Sequence, residues 1–181
     1  MQKIIFILFA ILLALSVNGQ NDGPWKEFTD YEGRFKVKLP GKFSHKIDTV
    51  ETPVGLLAYH IYFYNNPSDN PDNVFYMISY CDYPDETVHS DSTTLLEEFF
   101  DASMDQAATA VNGELTYHNE AWLEGYPGRL WRIDYLDRKA LVKTKAFMVN
   151  QRYYAIQVVT IQQKSLNLST NKFMDSFQLL E

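Results

Sequence analysis

The side chains best suited to metal binding or nucleophilic catalysis are four histidines and a single cysteine, and they are scattered along the chain. The sequence has neither a His-Glu-x-x-His pattern nor a close pair of histidines, and one cysteine cannot build a zinc cluster. Cys81 lies in an aromatic, strand-like run, where a small buried side chain fits better than a reactive thiol. These residue types therefore predict no catalytic residue, no metal ligand and no cofactor site. The histidines are His45, His60, His89 and His118.

Two acidic segments have some features of calcium-binding loops. Residues 69–73 and 82–86 each place a proline where an EF-hand needs an oxygen ligand, and they lack that loop's glycine and distal glutamate. The sequence also has no Gly-x-Ser-x-Gly elbow, no glycine-rich phosphate loop and no dinucleotide fingerprint. We therefore expect solvated loops, and an enzyme would need a site assembled from residues far apart in the sequence.

Charge is unevenly distributed along the chain. Residues 48–124 contain 15 acidic side chains and no lysine or arginine. Residues 129–152 contain seven basic side chains against two acidic ones, and residues 34–46 add five more basic ones. Separated charges steer a partner and fix its orientation, or, alternatively, acidic and basic strands neutralise one another across a sheet. Nucleic acid is not an expected partner of a chain whose net charge is −7.

The first residues have the pattern of a secretory leader. Lys3 is followed by twelve consecutive apolar residues and then by a short stretch that ends at Gly19. A membrane-spanning helix needs about twenty apolar residues, so this run is too short to predict an anchor. We expect residues 1–19 to be a cleaved signal peptide and residues 20–181 to form one exported domain, periplasmic or extracellular.

Alternation of apolar and polar side chains predicts an antiparallel sheet. In residues 34–39, Phe35, Val37 and Leu39 alternate with basic side chains, which is typical of a strand buried on one face. Aromatic and β-branched residues predict seven further strands. These strands are residues 43–50, 57–64, 74–81, 115–122, 129–135, 141–149 and 152–160.

The segments between these strands predict two helices, a turn and a loop. Apolar side chains recur at three- and four-residue steps over residues 92–111, which predicts a long helix, and residues 169–176 predict a short one. The sequence Gly-Tyr-Pro-Gly at 125–128 predicts a tight turn. Residues 65–73, with two prolines and no apolar side chain, predict a mobile surface loop. The predicted class is α+β, an antiparallel sheet of about six to eight strands flanked by one long and one short helix.

The order of these elements resembles the PsbP/Mog1/DcrB-like fold, here in an exported bacterial chain. The segments that carry the resemblance span nearly the whole mature chain: residues 31–40, the helix that ends at Gly113, and residues 125–129, 152–156 and 172–177. The resemblance implies a curved antiparallel sheet with a terminal helix packed across it. Members include extrinsic photosystem subunits and a small-GTPase-binding protein, so it also implies binding rather than catalysis. None of their functional residues matches a position here.

We therefore expect an exported, non-catalytic interaction module that docks on a protein or a cell-envelope component. The expected docking surface is a face of the sheet or the aromatic-rich strand at residues 59–64. The alternatives are an enzyme and a carrier of a small ligand or lipid, which needs an apolar cavity between helix and sheet. The predicted partner-binding residues are Tyr62, Tyr64, Arg129, Arg132, Lys143 and Lys145.

Overall fold

Alternating side chains build two antiparallel sheets, which two helices cover. The computed structural model describes residues 24–52 and 54–180. The α-helices of this part are α1 (Thr93–Ala110) and α2 (Leu168–Met174), and a short 3-10 helix covers Gln162–Lys164. Its strands are β1 (Lys26–Asp30), β2 (Phe35–Leu39), β3 (Ser44–Thr52), β4 (Gly55–Asn65), β5 (Phe75–Asp82), β6 (Glu114–Leu123), β7 (Tyr126–Tyr135), β8 (Ala140–Val149), β9 (Arg152–Ile161) and β10 (Gln178–Leu179).

The sheets confirm the predicted α+β class. Among the described residues, the larger sheet has seven strands in the order β3-β4-β5-β9-β8-β7-β6, and the smaller one has the order β1-β2-β10. All eight predicted strands and both predicted helices are present, with ends shifted by a few residues. The sequence did not predict β1 or β10.

The long helix α1 covers one face of the larger sheet. Its buried side chains include Phe100, which is 0% exposed, and Met104, which is 2% exposed. They pack against Trp131 and Ile133 of β7, which are equally buried. The alternation of β7 places these apolar side chains on one face and thereby fixes the helix against the sheet.

The smaller sheet and α2 cover the opposite face. Phe35 of β2 and Phe173 of α2 are both 0% exposed and belong to one apolar cluster with Tyr76 and Ile156 of the larger sheet. The rings of Phe35 and Phe177 stack with centroids 5.4 Å apart. The molecule therefore has three layers, with the larger sheet in the middle.

The turn between β1 and β2 is held by polar side chains of the larger sheet. Asp30 accepts hydrogen bonds from the Gly33 amide and from the hydroxyl of Tyr62. The Tyr154 hydroxyl donates to the Gly33 carbonyl at 2.6 Å, and Arg152 donates to the adjacent carbonyl at 2.8 Å. These bonds satisfy buried polar groups and lock the two sheets together.

The tight turn predicted at 125–128 begins one residue earlier and ends before Tyr126. Glu124 and Gly125 have φ values of 51° and 89° and form the turn, whereas Pro127 lies within β7 opposite Trp122 of β6. Gly128 is also a residue of β7, and a Cβ atom there would lie 2.2 Å from the Ala146 carbonyl oxygen. Glycine at 128 thus permits close strand packing rather than a turn.

The loop predicted to be mobile is anchored on α2. Asn73 is 0% exposed and lies within 3.0 Å of the Tyr76 hydroxyl and 2.9 Å of polar atoms of Asn167 and Thr170. Lys164 donates to two backbone carbonyls of the loop, each at 2.8 Å. The contacts of the loop with Lys164, Asn167 and Thr170 span more than ninety positions of sequence, so the local pattern could not show them.

The predicted signal peptide, residues 1–19, lies outside the described residues. The division of the chain at residue 20 therefore stays a prediction. In the part of the chain that the structure describes, neither helix combines the length and apolar character needed to cross a bilayer.

Candidate functional site

The six predicted partner-binding residues divide between the two faces of the larger sheet. Arg129 contacts Glu97 and Phe100 of α1. The other five lie on the face that the smaller sheet and α2 cover. Strand geometry explains the split, because Arg129 and Arg132 are three positions apart and so point to opposite faces. The five residues are Tyr62, Tyr64, Arg132, Lys143 and Lys145.

Tyr62 and Tyr64 belong largely to the protein interior. Tyr62 is 4% exposed, and its ring stacks on His45 with centroids 4.2 Å apart. Burial and the neighbouring Asp30 raise the pKa of Tyr62 well above its usual range, so the hydroxyl stays protonated. Tyr64 is half-buried, and its ring fills the space beside Gly41. A partner would therefore reach little of the Tyr62 ring.

The three basic residues on that face are engaged within the chain. Arg132 makes a two-pronged ion pair with Asp134 at 2.5 and 3.0 Å. Lys145 pairs with Asp175 at 2.6 Å. Lys143 donates to the Ser165 carbonyl at 3.4 Å, and burial, with a smaller effect of Arg132, lowers its pKa.

Three further ion pairs join the basic and acidic segments of the sequence. Arg152 binds both carboxylate oxygens of Asp82 at 2.6 Å and lies over the ring of Tyr80. Arg138 pairs with Glu114 at 2.6 Å, and Arg129 pairs with Glu97. These contacts support the neutralisation interpretation for part of the charge segregation. They leave the acidic excess around α1 unexplained.

That excess borders a cleft of about 830 Å³ between the first half of α1 and the β6–β7 hairpin. Arg129 lies at its base, 8% exposed and with its guanidinium carbon 5.4 Å from the centre of the Phe100 ring. Five carboxylates line the cleft against this one arginine. They are Asp91, Glu97, Glu98, Asp101 and Glu120.

The cleft combines negative charge with an exposed aromatic side chain. Glu98, Asp101 and Glu120 are exposed, and none of the ion pairs within residues 24–52 and 54–180 involves them. Trp122 lines the hairpin side and is 66% exposed. An aromatic face beside carboxylates attracts a lysine or arginine side chain through cation–π and Coulomb interactions.

Among the residues that line this cleft, the sequence predicted only Arg129 as a partner-binding residue. The available signal was the run of 15 carboxylates in residues 48–124, but the sequence does not show that β6 lies beside α1. Trp122 gave no signal, because aromatic side chains are common on half-buried strands.

The side chains that suit metal or thiol chemistry do not converge. Across residues 24–52 and 54–180, no three His, Cys, Asp or Glu side chains are grouped closely enough to hold a metal ion. Cys81 is 0% exposed, and burial raises the pKa of its thiol to about 12. The thiol is therefore protonated at neutral pH and inaccessible.

Comparison with known proteins identifies the fold. No protein-family model matches the chain, and no curated protein sequence matches it. The solution structure of cyanobacterial PsbP (CyanoP) from Synechocystis sp. PCC 6803 is similar, with a TM-score of 0.60 and 11% sequence identity. The match covers 91% of this chain and 97% of that one. The three-layered chain described here has the PsbP-like fold.

Proposed function

We propose that the chain is a non-catalytic interaction module that binds a basic segment of a partner protein in the acidic cleft. The observation that carries this proposal is the lining of the cleft, five carboxylates against one arginine that is already paired. A basic segment gains Coulomb attraction there, and the exposed ring of Trp122 offers a surface for its cationic side chains. The partner would be met in the periplasm or outside the cell, as the predicted leader implies.

The two alternatives have less support. A carrier needs an apolar cavity between α1 and the sheet, but Phe100, Met104 and Trp131 occupy that interface and are buried. An enzyme needs convergent acid, base or nucleophilic groups with shifted pKa values. The cleft instead presents exposed carboxylates. The fold resemblance to interaction modules favours binding as well.

A fluorescence titration tests the proposal. The probe is a short blocked peptide of alternating lysine and serine, and the signal is the long-wavelength part of the tryptophan emission, where a water-exposed ring such as that of Trp122 emits. Binding should weaken about tenfold in the variant Glu98→Gln/Asp101→Asn, because each exposed ion pair contributes roughly 0.2–1 kcal/mol. Added salt should weaken binding of the wild-type protein.

The matched control removes two charges far from the cleft. Glu32→Gln/Asp137→Asn changes the net charge equally, but both residues are exposed turn residues outside the cleft. This variant should bind the peptide like the wild-type protein. Equal weakening in both double variants would show that only the overall charge of −7 attracts the peptide, and the proposal would fail.

A further inference from the structure

Strand β3 forms a regularly paired edge of the larger sheet. In the described part of the chain it pairs only with β4, through nine consecutive residue pairs from Ser44–Phe63 to Thr52–Gly55. The opposite edge, β6, is interrupted by a bulge between Leu115 and Tyr117. Bulges protect an edge from pairing with another chain, whereas a long regular edge is the surface to which a further strand adds.

The side chains of this edge are self-complementary about Ile47. Lys46 and Asp48 flank it and share one face of the strand. Within the chain, the Lys46 Nζ lies 2.5 Å from the Asp48 Oδ2. Ile47 points to the other face and is 54% exposed. If a second β3 pairs antiparallel about a two-fold axis through Ile47, each Lys46 lies opposite Asp48 of the second copy. Opposite charges in directly paired positions stabilise a sheet, and like charges destabilise it.

We propose that two copies of this chain associate through their β3 edges in this register. The occupant of the edge is thus a second copy, which the Lys46–Asp48 symmetry selects over an unrelated strand. A two-fold axis perpendicular to the sheet makes the interface isologous and keeps α1 of both copies on the same side. The result is a continuous sheet of fourteen strands, seven from each copy. The acidic cleft is not part of this interface.

Sedimentation equilibrium of the mature chain measures the association. The wild-type protein should show a reversible monomer–dimer equilibrium. Lys46→Glu places a carboxylate opposite Asp48 of the other copy at two symmetric positions of the dimer. This substitution should raise the dissociation constant about tenfold or more. The swap Lys46→Glu/Asp48→Lys recreates both pairs and should restore the wild-type constant. Ile47→Lys should abolish the dimer, whereas Leu168→Lys, at an 84% exposed residue away from the edge, should not.

Disulfide formation tests the register directly. In this register, position 47 of one copy lies directly opposite position 47 of the second copy, at a Cα separation that a disulfide accepts. The variant Ile47→Cys should therefore cross-link the two copies on mild oxidation. Thr49→Cys lies opposite His45 of the second copy and should not cross-link, and native Cys81 is buried. A purely monomeric chain, a dimer unaffected by Lys46→Glu, failure of the swap to restore it, or equal cross-linking at both cysteines would overturn the proposal. None of these results would bear on peptide binding in the cleft.

Discussion

Replacing Asn73 by alanine should destabilise the fold more than any other single change in the loop between β4 and β5. The Asn73 amide lies within hydrogen-bonding distance of Tyr76, Asn167 and Thr170. Tyr76 and Thr170 are 1% and 2% exposed, so water cannot easily replace the missing amide. The variant therefore removes the hydrogen bonds that Asn73 makes at a buried site, where losing a bond is costly.

The expected loss is about 3 kcal/mol of unfolding free energy. Each buried group left unsatisfied costs roughly 1–3 kcal/mol. Asn167 limits the total, because it keeps bonds to the Thr170 amide at 2.7 Å and to the Lys164 carbonyl at 2.8 Å. For a domain of this size, the loss corresponds to a fall in Tm of about 6–12 °C.

Urea unfolding followed by circular dichroism provides the measurement. Asn70→Ala is the matched control, because Asn70 has the same side chain in the same loop but is exposed, and its carbonyl bond to Lys164 survives the change. The control should change the unfolding free energy by less than about 0.5 kcal/mol. An Asn73→Ala variant with an unchanged m value that loses no more than the control would refute the reasoning.

Three further changes probe the interior. Tyr154→Phe removes a buried 2.6 Å hydrogen bond and should cost about 1–2 kcal/mol in urea unfolding, whereas Tyr31→Phe, at an 84% exposed residue, should cost nothing measurable. Asp134→Asn removes the carboxylate that pairs with the largely buried guanidinium of Arg132 and should lower the unfolding free energy by about 3 kcal/mol. A decrease below about 1 kcal/mol would contradict this. Burial raises the pKa of Cys81 from 9.0 to about 12. The buried neutral thiol should therefore not lower the unfolding free energy below pH 9, but that free energy should fall as the pH rises toward 12. The thiol should accordingly resist a disulfide reagent at pH 8 until denaturant is added, and rapid labelling of the native protein would contradict this.

The strands and helices were predictable because their signals are local. Phe35, Val37 and Leu39 alternate with lysines over β2, and this pattern is enough to assign a strand buried on one face. The helical pattern over residues 92–111 is equally local and gave α1. Strand β1 escaped prediction, since Phe28 is the only apolar residue in Lys-Glu-Phe-Thr-Asp. Strand β10 has only two residues and depends on its pairing with β2.

The candidate site was only partly predictable because it depends on which strands become neighbours. The two-residue period of β7 already separates Arg129 from Arg132, so the sequence contained the evidence that they face opposite ways. It did not contain the partners of these arginines. Glu97 reaches Arg129 from another element, 32 positions away, and charge patterns alone do not define such a contact. The exposed Trp122 became visible only when β6 was placed at the sheet edge.

The pairing of β10 with β2 means that the smaller sheet cannot be complete until residues 178–179 have been synthesised. The Lys38 amide donates to the Ser176 hydroxyl across 138 positions of sequence, and Leu179 pairs with Phe35. A chain emerging from its N-terminus can assemble the larger sheet and α1 before this closure, but the face bearing Ile156 is only partly covered until α2 and β10 follow. During that interval the nascent protein exposes an apolar surface that promotes aggregation, so chaperones would matter most until α2 and β10 have docked.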